Sequence, residues 1–339
     1  MPLLQTAKAL KQGLTRSLDV KNRHLRVIGL MATDLCKSRC KHCFIWNKKE
    51  VHHLDIDIIA RLLEDEVVTR RTFFELTGGE FLEHPQWRDI VALMSTSGND
   101  YVVLSNGMYP DELIDAVREF KIPNLYMSLD GLGETYKQVR GVDCADNIIR
   151  IIDEVKSQTK IHLGYTITPW NKVEDLRQVR ALAEEKGVEM SVGAYQNPEF
   201  FDTVKPGGKI SPEHEPYLDE FMRLNNDWMD KKLSIPCWNI RTKCYILGNG
   251  DVFLCQQKSV VLGNLLDKSL GEIWNSPEAI AIHDEYKSCN DCWLACNRPL
   301  DAQLAYAGRL VFSDAMMNKM FGEHSWDRVY RAYRDHAKN

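Results

Sequence analysis

The stretch Val27-Ile-Gly-Leu-Met-Ala-Thr33-Asp-Leu-Cys36-Lys-Ser-Arg-Cys40-Lys-His-Cys43 decides how this chain is read. Val27 to Thr33 is a short apolar run of the kind that forms a buried strand. Three cysteines follow in the next loop, spaced by three and then two residues. Thiolates this close can hold three irons of a cubane cluster, leaving the fourth iron without a protein ligand. An open metal position is where chemistry happens, whereas closed sites are structural. The other reading is a zinc knuckle completed by His42 or His52, or a redox thiol group. Zinc favours paired C-x2-C units, and no fourth ligand stands at a comparable offset here.

Outward from this loop, the remaining cysteines fall far away. Cys144 stands alone, and Cys237, Cys244, Cys255, Cys289, Cys292 and Cys296 crowd the last third. The first eighteen residues are interrupted by Lys8, Lys11 and Arg16, so they lack a signal peptide's apolar core. A cytoplasmic location with reduced thiols is expected, and the two cysteine groups read as two metal sites. Lys plus Arg is 43 against 48 Asp plus Glu, a net charge of −5. That balance gives no field to attract a polyanion, so a nucleic-acid partner is not expected. No apolar run approaches the roughly 20 residues of a membrane span, so no membrane insertion is expected. The stripe Leu3, Ala7, Leu10, Leu14 and Leu18 reads as a helix packed on the main fold.

Between the cysteine groups, strand and helix patterns alternate. Strands are expected at Val27 to Thr33, Thr72 to Thr77, Tyr101 to Ser105, Leu125 to Leu129, Ile161 to Thr168 and Val188 to Tyr195. Helices are expected from Ile56 behind a cap at Asp55, then at Trp87 to Met94, Asp111 to Phe120, Asp146 to Val155 and Val173 to Lys186. Successive β-then-α units imply a parallel sheet whose ligands bind at the carboxyl ends of the strands. Prolines 198, 206, 212 and 216 with Gly207 and Gly208 mark a linker. Asn249-Gly250 between two apolar runs signals a hairpin. The expected organisation is an N-terminal helix (1–25), a barrel (26–196), a linker (197–232), a small cysteine-rich α+β domain (233–298) and a helical C-terminal segment (299–339). About two domains suit the 339 residues.

Cys36-x3-Cys40-x2-Cys43 after a first strand, followed by Gly78-Gly79-Glu80 after a second, resembles the radical S-adenosylmethionine (radical SAM) superfamily. The resemblance implies an α/β fold, a partial (β/α)6 TIM-like barrel. It implies a [4Fe–4S] cluster on Cys36, Cys40 and Cys43 whose open iron chelates S-adenosylmethionine. Reductive cleavage then gives a 5′-deoxyadenosyl radical that abstracts a substrate hydrogen. Gly78, Gly79 and Glu80 match the positions that hold the methionine ammonium. Asn106 in Ser105-Asn106-Gly107, and Ser128 and Asp130 in Ser128-Leu-Asp130-Gly131, match polar groups near the ribose. Arg140 resembles the arginine that reaches the methionine carboxylate, a natural bidentate pairing. His42 takes the place of an aromatic or apolar residue beside the adenine. On the residues alone, Asn106, Ser128, Asp130 and Arg140 serve equally as strand-end caps.

The C-terminal group resembles the SPASM/twitch extension of that superfamily. Cys237, Gly250 and Cys255 fit its entry pattern with intervals of 12 and 4. Val261-Leu-Gly-Asn264 and Leu270-Gly-Glu-Ile-Trp-Asn275 also resemble that module. Only six cysteines are present where two complete auxiliary clusters need eight, so one auxiliary [4Fe–4S] cluster is expected. The single-cluster variant assigns it to Cys237, Cys255, Cys289 and Cys292; the larger variant recruits Cys244 and Cys296 beside Cys237 and Cys255. A zinc ribbon is the structural alternative. A cysteine left over becomes a hydrogen donor to a substrate radical, with Cys244, Cys296 and Cys144 as candidates. The resemblance implies an oxidoreductase or epimerase served by a flavodoxin- or ferredoxin-type electron donor. About 25 residues before the first strand are too few for an N-terminal peptide-recognition domain, so a small sugar-like or aminocyclitol-like substrate is expected, oxidised or epimerised. The alternatives are a maturase acting on a ribosomal peptide or protein, and a non-catalytic metal-binding scaffold.

Overall fold

The computed structural model describes residues 22–43, 45–196, 208–321 and 325–336. The N-terminal stripe expected to form a helix lies outside them. Six parallel strands, β1 (Val27–Thr33), β2 (Phe73–Gly78), β3 (Tyr101–Ser105), β4 (Asn124–Ser128), β5 (Lys160–Ile167) and β6 (Glu189–Ala194), pair in sequential order. The crossovers carry α1 (Ile56–Leu63), α2 (Trp87–Ser97), α3 (Pro110–Phe120), α4 (Gly133–Arg140), α5 (Ala145–Val155) and α6 (Val173–Lys186). Each strand alternates. Phe74 and Leu76, or Leu125 and Met127, bury against the helices. The intervening Glu75 and Thr77, or Tyr126 and Ser128, fall on the opposite face, as the period of two requires.

The helices cover the sheet through stripes at three-to-four spacing. On α5, Ile148, Ile151, Ile152 and Val155 are fully buried, each contributing about 1.5–3 kcal/mol of transfer free energy. α1 begins where Asp55 accepts from the Asp57 amide at 2.8 Å, the cap expected from the sequence. Helix α4 is an addition to the sequence reading: its polar stretch Gly-Glu-Thr-Tyr-Lys-Gln-Val-Arg offers a weak apolar period, and only Tyr136 and Val139 are buried.

The cysteine-rich region is not a detached unit. β7 (Lys243–Leu247) pairs in parallel with β1, and β8 (Asp251–Cys255) and β9 (Lys258–Asn264) continue antiparallel, giving one sheet ordered β6-β5-β4-β3-β2-β1-β7-β8-β9. The Asn249-Gly250 turn joins β7 to β8 as expected, with Gly250 at φ 86°. The proline-rich stretch is also more than a linker in its described part. Ile210, Leu218, Phe221, Met222 and Leu224 are buried in the main core, because proline breaks helices without preventing apolar burial. A short helix, α7 (Asn225–Met229), follows there. Beyond the sheet lie α8 (Leu270–Trp274), α9 (Pro277–Glu285), α10 (Pro299–Arg309), α11 (Asp314–Phe321) and α12 (Ser325–His336). No helix among the described residues is long and apolar enough to cross a membrane.

Two inward glycines make room for aromatic rings. A Cβ on Gly29 would lie 2.3 Å from the Tyr245 ring, and one on Gly164 2.1 Å from the Tyr126 hydroxyl.

Candidate functional site

The cysteine loop leaves the carboxyl end of β1 and is held by backbone hydrogen bonds on two sides. On one side the Gly79 amide donates to Thr33 O (2.7 Å) and the Glu80 amide to Leu35 O (2.9 Å). A Cβ on Gly79 would stand 2.0 Å from that Leu35 oxygen, so close approach excludes any side chain. On the other side the Arg39 amide donates to Arg140 O (3.0 Å) and the Lys41 amide to Val139 O (2.9 Å), docking the loop on the end of α4. Buried Asp34 braces it from below, pairing with Lys48 Nζ at 2.7 Å and His52 Nδ1 at 3.2 Å. His53 Nδ1 meets Thr33 Oγ1 at 2.8 Å. His52 and His53 tie down the cysteine loop, while Asp55 caps the helix.

Cys36, Cys40 and Cys43 project from this one loop. Burial, reinforced by neighbouring groups, pushes Cys36 up to about 12 and Cys43 up to about 11, and Cys40 is also raised. Ionising them together requires added positive charge, which iron supplies. Among the described residues no three His, Cys, Asp or Glu side chains are drawn together as a single metal ion demands. A cubane, with one thiolate per iron, is a larger body.

Glu80 lies beside this loop, 1% exposed. Its Oε2 accepts from the Asn106 amide at 2.8 Å, while Oε1 is buried with no hydrogen-bond partner. Burial raises this carboxyl to about 7, partly offset by the hydrogen bonds from Asn106 and Ser105. A buried carboxylate oxygen without a donor is costly and suits an incoming ammonium group. Asn106 Nδ2 donates to Ser38 Oγ at 2.8 Å and stands 4.0 Å from Cys36 Sγ. Gly78, Gly79, Glu80 and Asn106 are thus gathered against the cysteine loop.

Asp130, fully buried, accepts from the Thr166 amide (2.7 Å) and pairs with Arg140 Nε at 2.6 Å. Arg140 Nη1 stands 3.9 Å from Cys40 Sγ. The two residues read separately from the sequence form one ion pair, with Arg140's fork turned toward the loop. Ser128 ends β4, half-buried. His42 Nε2 lies 3.7 Å from Asp130, yet burial dominates and depresses the imidazole to about 4, so it is neutral.

His42 and Cys43 open onto a cavity of about 290 Å³ between the barrel mouth and the cysteine-rich region, walled also by Tyr126, Tyr195, Gln196, Gln256, Gln257 and Cys296. No Asp, Glu, Lys or Arg lines it among the described residues. The sequence reading missed Tyr126, Tyr195 and the two glutamines. Tyr126 was legible as the inward alternate of β4, and Gln256-Gln257 follow Cys255 directly at the β8–β9 turn.

A second, narrow cavity of about 20 Å³ gathers Cys237, Cys255, Cys289 and Cys292. Burial raises Cys237 to about 12 and lifts the other three. The Cys237 amide donates to Cys289 O at 2.8 Å. Arg298, fully buried and paired with Asp301 at 2.9 Å, donates to Ile235 O and braces this group. Cys244 is elsewhere, fully buried within β7 in the main core. Cys144 likewise packs in the core at the start of α5. Cys296 lines the first cavity, not the second.

The Radical SAM superfamily model matches residues 30–183, from within β1 to within α6, with the whole cysteine loop inside it. Residues 30–183 are a radical SAM domain. A SPASM iron–sulfur cluster-binding domain matches residues 237–293. With these two domains come S-adenosylmethionine, its [4Fe–4S] cluster and auxiliary iron–sulfur binding. Among curated relatives, an AdoMet-dependent heme synthase of Methanosarcina barkeri is 22% identical over 75% of this chain and 83% of its own. The sporulation killing factor maturation protein SkfB of Bacillus subtilis is 24% identical over 77% and 67%. The fold is that of Streptococcus suis SuiB, with a TM-score of 0.60 at 16% identity over 80% of this chain and 72% of that one.

Proposed function

We propose that this radical SAM enzyme abstracts a hydrogen atom from an uncharged, hydroxyl-bearing group, a neutral sugar-like ring, seated in the cavity between the barrel mouth and the SPASM domain. When bound, S-adenosylmethionine and its cluster supply the 5′-deoxyadenosyl radical that removes the hydrogen. Cys36, Cys40 and Cys43 hold that cluster, and Cys237, Cys255, Cys289 and Cys292 hold one auxiliary cluster. Glu80 Oε1 receives the methionine ammonium. Arg140, oriented by Asp130, turns its fork to the methionine carboxylate. Neutral His42 offers the adenine an uncharged ring. Asn106 and Ser128 offer polar edges to the ribose.

The observation that carries the substrate class is the uncharged wall. Phosphate or carboxylate recognition calls on Arg or Lys, and an ammonium calls on a carboxylate. Neither type lines the cavity among the described residues, which narrows the expectation from aminocyclitols to neutral sugars. Aromatic rings with a few amide groups suit a ring that is apolar on its faces and polar on its edges.

A second reading, a peptide side chain, is supported by two relatives: SkfB is named as a maturation protein, and SuiB has been seen bound to its precursor peptide SuiA. Anaerobic reconstitution with S-adenosylmethionine and dithionite, with 5′-deoxyadenosine quantified, tests both. Neutral monosaccharides and glycosides should accelerate its formation while short peptides leave it unchanged. The reverse would establish the peptide reading, and no 5′-deoxyadenosine at all would sink the enzyme.

A further inference from the structure

A cluster of hydrogen-bond donors gathers at the amino ends of β1 and β7, the far end of β1 from the cysteine loop. Thr242 O, just before β7, accepts from the Arg26 and Val27 amides at 2.7 and 3.2 Å, which brings Arg241 beside the chain entering β1. Arg23, on that entering chain, lies over the Trp274 ring with its Cζ 5.5 Å from the centroid. It donates to Trp274 O and, at 3.0 Å, to Asn275 Oδ1, and its Nη2 stands 3.3 Å from His283 Nδ1. The His283 ring meets Trp274 edge-on at 4.4 Å. Trp274 on α8 and His283 on α9 are 0% and 3% exposed, whereas Arg23 and Arg241 are half-buried and keep the cluster within reach of solvent.

This corner lacks an acceptor. A guanidinium only donates, so His283 Nδ1 facing Arg23 accepts, and the ring carries its hydrogen on Nε2. That Nε2 is buried without a partner, and so is the indole Nε1 of Trp274, which also can only donate. Burial, then Arg23 and Arg241, depress His283 to about 4, so the ring is neutral. Burial and then Arg241 lower Arg23 as well: two like charges stand together with no anion between them. The carboxylates that reach this corner are engaged elsewhere. Glu66 accepts from Asn275 Nδ2 at 3.3 Å, and Asp65 from the Gly271 amide at 3.0 Å. Neither arginine forms an ion pair among the described residues.

We propose that this corner binds a small tetrahedral oxyanion of the phosphate class, gripped by Arg23 and Arg241 with the N–H groups of His283 and Trp274 beneath it. Guanidinium forks match phosphate oxygens in geometry and charge. Donors arriving from four separate elements suit an oxyanion with acceptor atoms on every side, more than a planar carboxylate. The site is remote from the barrel mouth, so its role is to fasten and not to react. The anion ties the entry of β1 and the turn before β7 to the α8–α9 pair, and so holds helices of the SPASM domain against the first strand of the barrel.

Thermal unfolding of the iron-loaded full chain, in inorganic phosphate against chloride at matched ionic strength, tests this. A ligand that binds only the folded state raises the midpoint with concentration. Phosphate should raise Tm saturably, by about 2–4 °C at ten times the half-saturating concentration. Arg241→Gln, with iron content matching wild type as the check on folding, should melt no lower than wild type in chloride, because a repelling charge is gone. Its half-saturating phosphate concentration should rise at least ~10-fold. Arg241→Lys keeps the charge and should retain part of the gain. Methyl phosphate separates two sources of the ligand: an equal gain supports the phosphate group of a larger molecule, and a lost gain supports the free ion. No phosphate gain in wild type, as a water filling the corner would give, would overturn the proposal. So would an undiminished gain in Arg241→Gln.

Discussion

Replacing Glu80 with glutamine removes the charge from the buried carboxyl beside the cysteine loop while nearly preserving its shape. Glu80 titrates at about 7 against an ordinary 4.5, with burial as the main cause. At about 1.36 kcal/mol per unit, its ionised form costs the folded protein about 3 kcal/mol. The sign follows from proton counts. Below pH 4.5 both folded and unfolded chains are protonated and nothing is lost. Between 4.5 and 7 the unfolded chain releases its proton first, so stability falls as pH rises, and above 7 the loss is complete. In Glu80→Gln the new amide keeps an acceptor for the Asn106 N–H but leaves its NH2 without a partner where Oε1 stood, an offset of about 1 kcal/mol. The variant without bound cofactor should therefore be about 2 kcal/mol more stable than wild type at pH 8.5 and about 1 kcal/mol less stable near pH 4.5. Urea unfolding followed by tryptophan fluorescence at the two pH values reads this difference. The same variant, loaded with iron, should bind S-adenosylmethionine at least ~30-fold more weakly, because the ammonium loses its charged partner. A variant no more stable than wild type at pH 8.5, or one with wild-type cofactor affinity, would refute the reasoning.

Asp130→Asn strips the charge facing Arg140 in the buried pair and should cost about 3–5 kcal/mol, while the double variant with Arg140→Gln should cost clearly less than the sum of the singles. Additive effects in urea unfolding would show that the pair carries no coupling. Gly79→Ala drives a Cβ into Leu35 O, a backbone atom that cannot swing aside. It should lose about 1–3 kcal/mol and displace the cysteine loop, read as loss of the S-adenosylmethionine-induced change in the cluster's electron paramagnetic resonance spectrum. Cys244→Ala should leave the iron content intact and cost only about 1 kcal/mol of core packing. Cys255→Ala should release the auxiliary iron; iron loss from Cys244→Ala would restore the larger ligand set.

Much of this was legible in the sequence because local rules and tertiary needs agree. β1, β3 and α6 fall at their expected bounds, since each has a clean apolar period and a sharp stop. Asp55 was legible as a cap and Asn249-Gly250 as a turn because a single residue type satisfies each backbone need. Helix α4 was not legible: it is held by the cysteine loop docking on its end and by Tyr136 donating to Asn106 O (2.7 Å), not by amphipathic patterning. The Asp130–Arg140 pair spans two motifs and needed coordinates. So did the grouping of Cys237, Cys255, Cys289 and Cys292 apart from Cys244 and Cys296, since spacing alone cannot tell which side of β7 faces the core. Pairing of β7 with β1 was hidden for the same reason, as nothing local records a parallel neighbour more than two hundred residues away.

Two separate cysteine groups, one at the end of β1 and one beyond β7, call for two iron–sulfur clusters. Iron per chain after anaerobic reconstitution tests this most directly, with wild type compared against Cys36, Cys40 and Cys43 all changed to Ala. About eight irons should fall to about four, as two cubanes require. About four irons falling to none would contradict it by leaving the C-terminal cysteines without a cluster, and no iron in wild type would contradict it entirely.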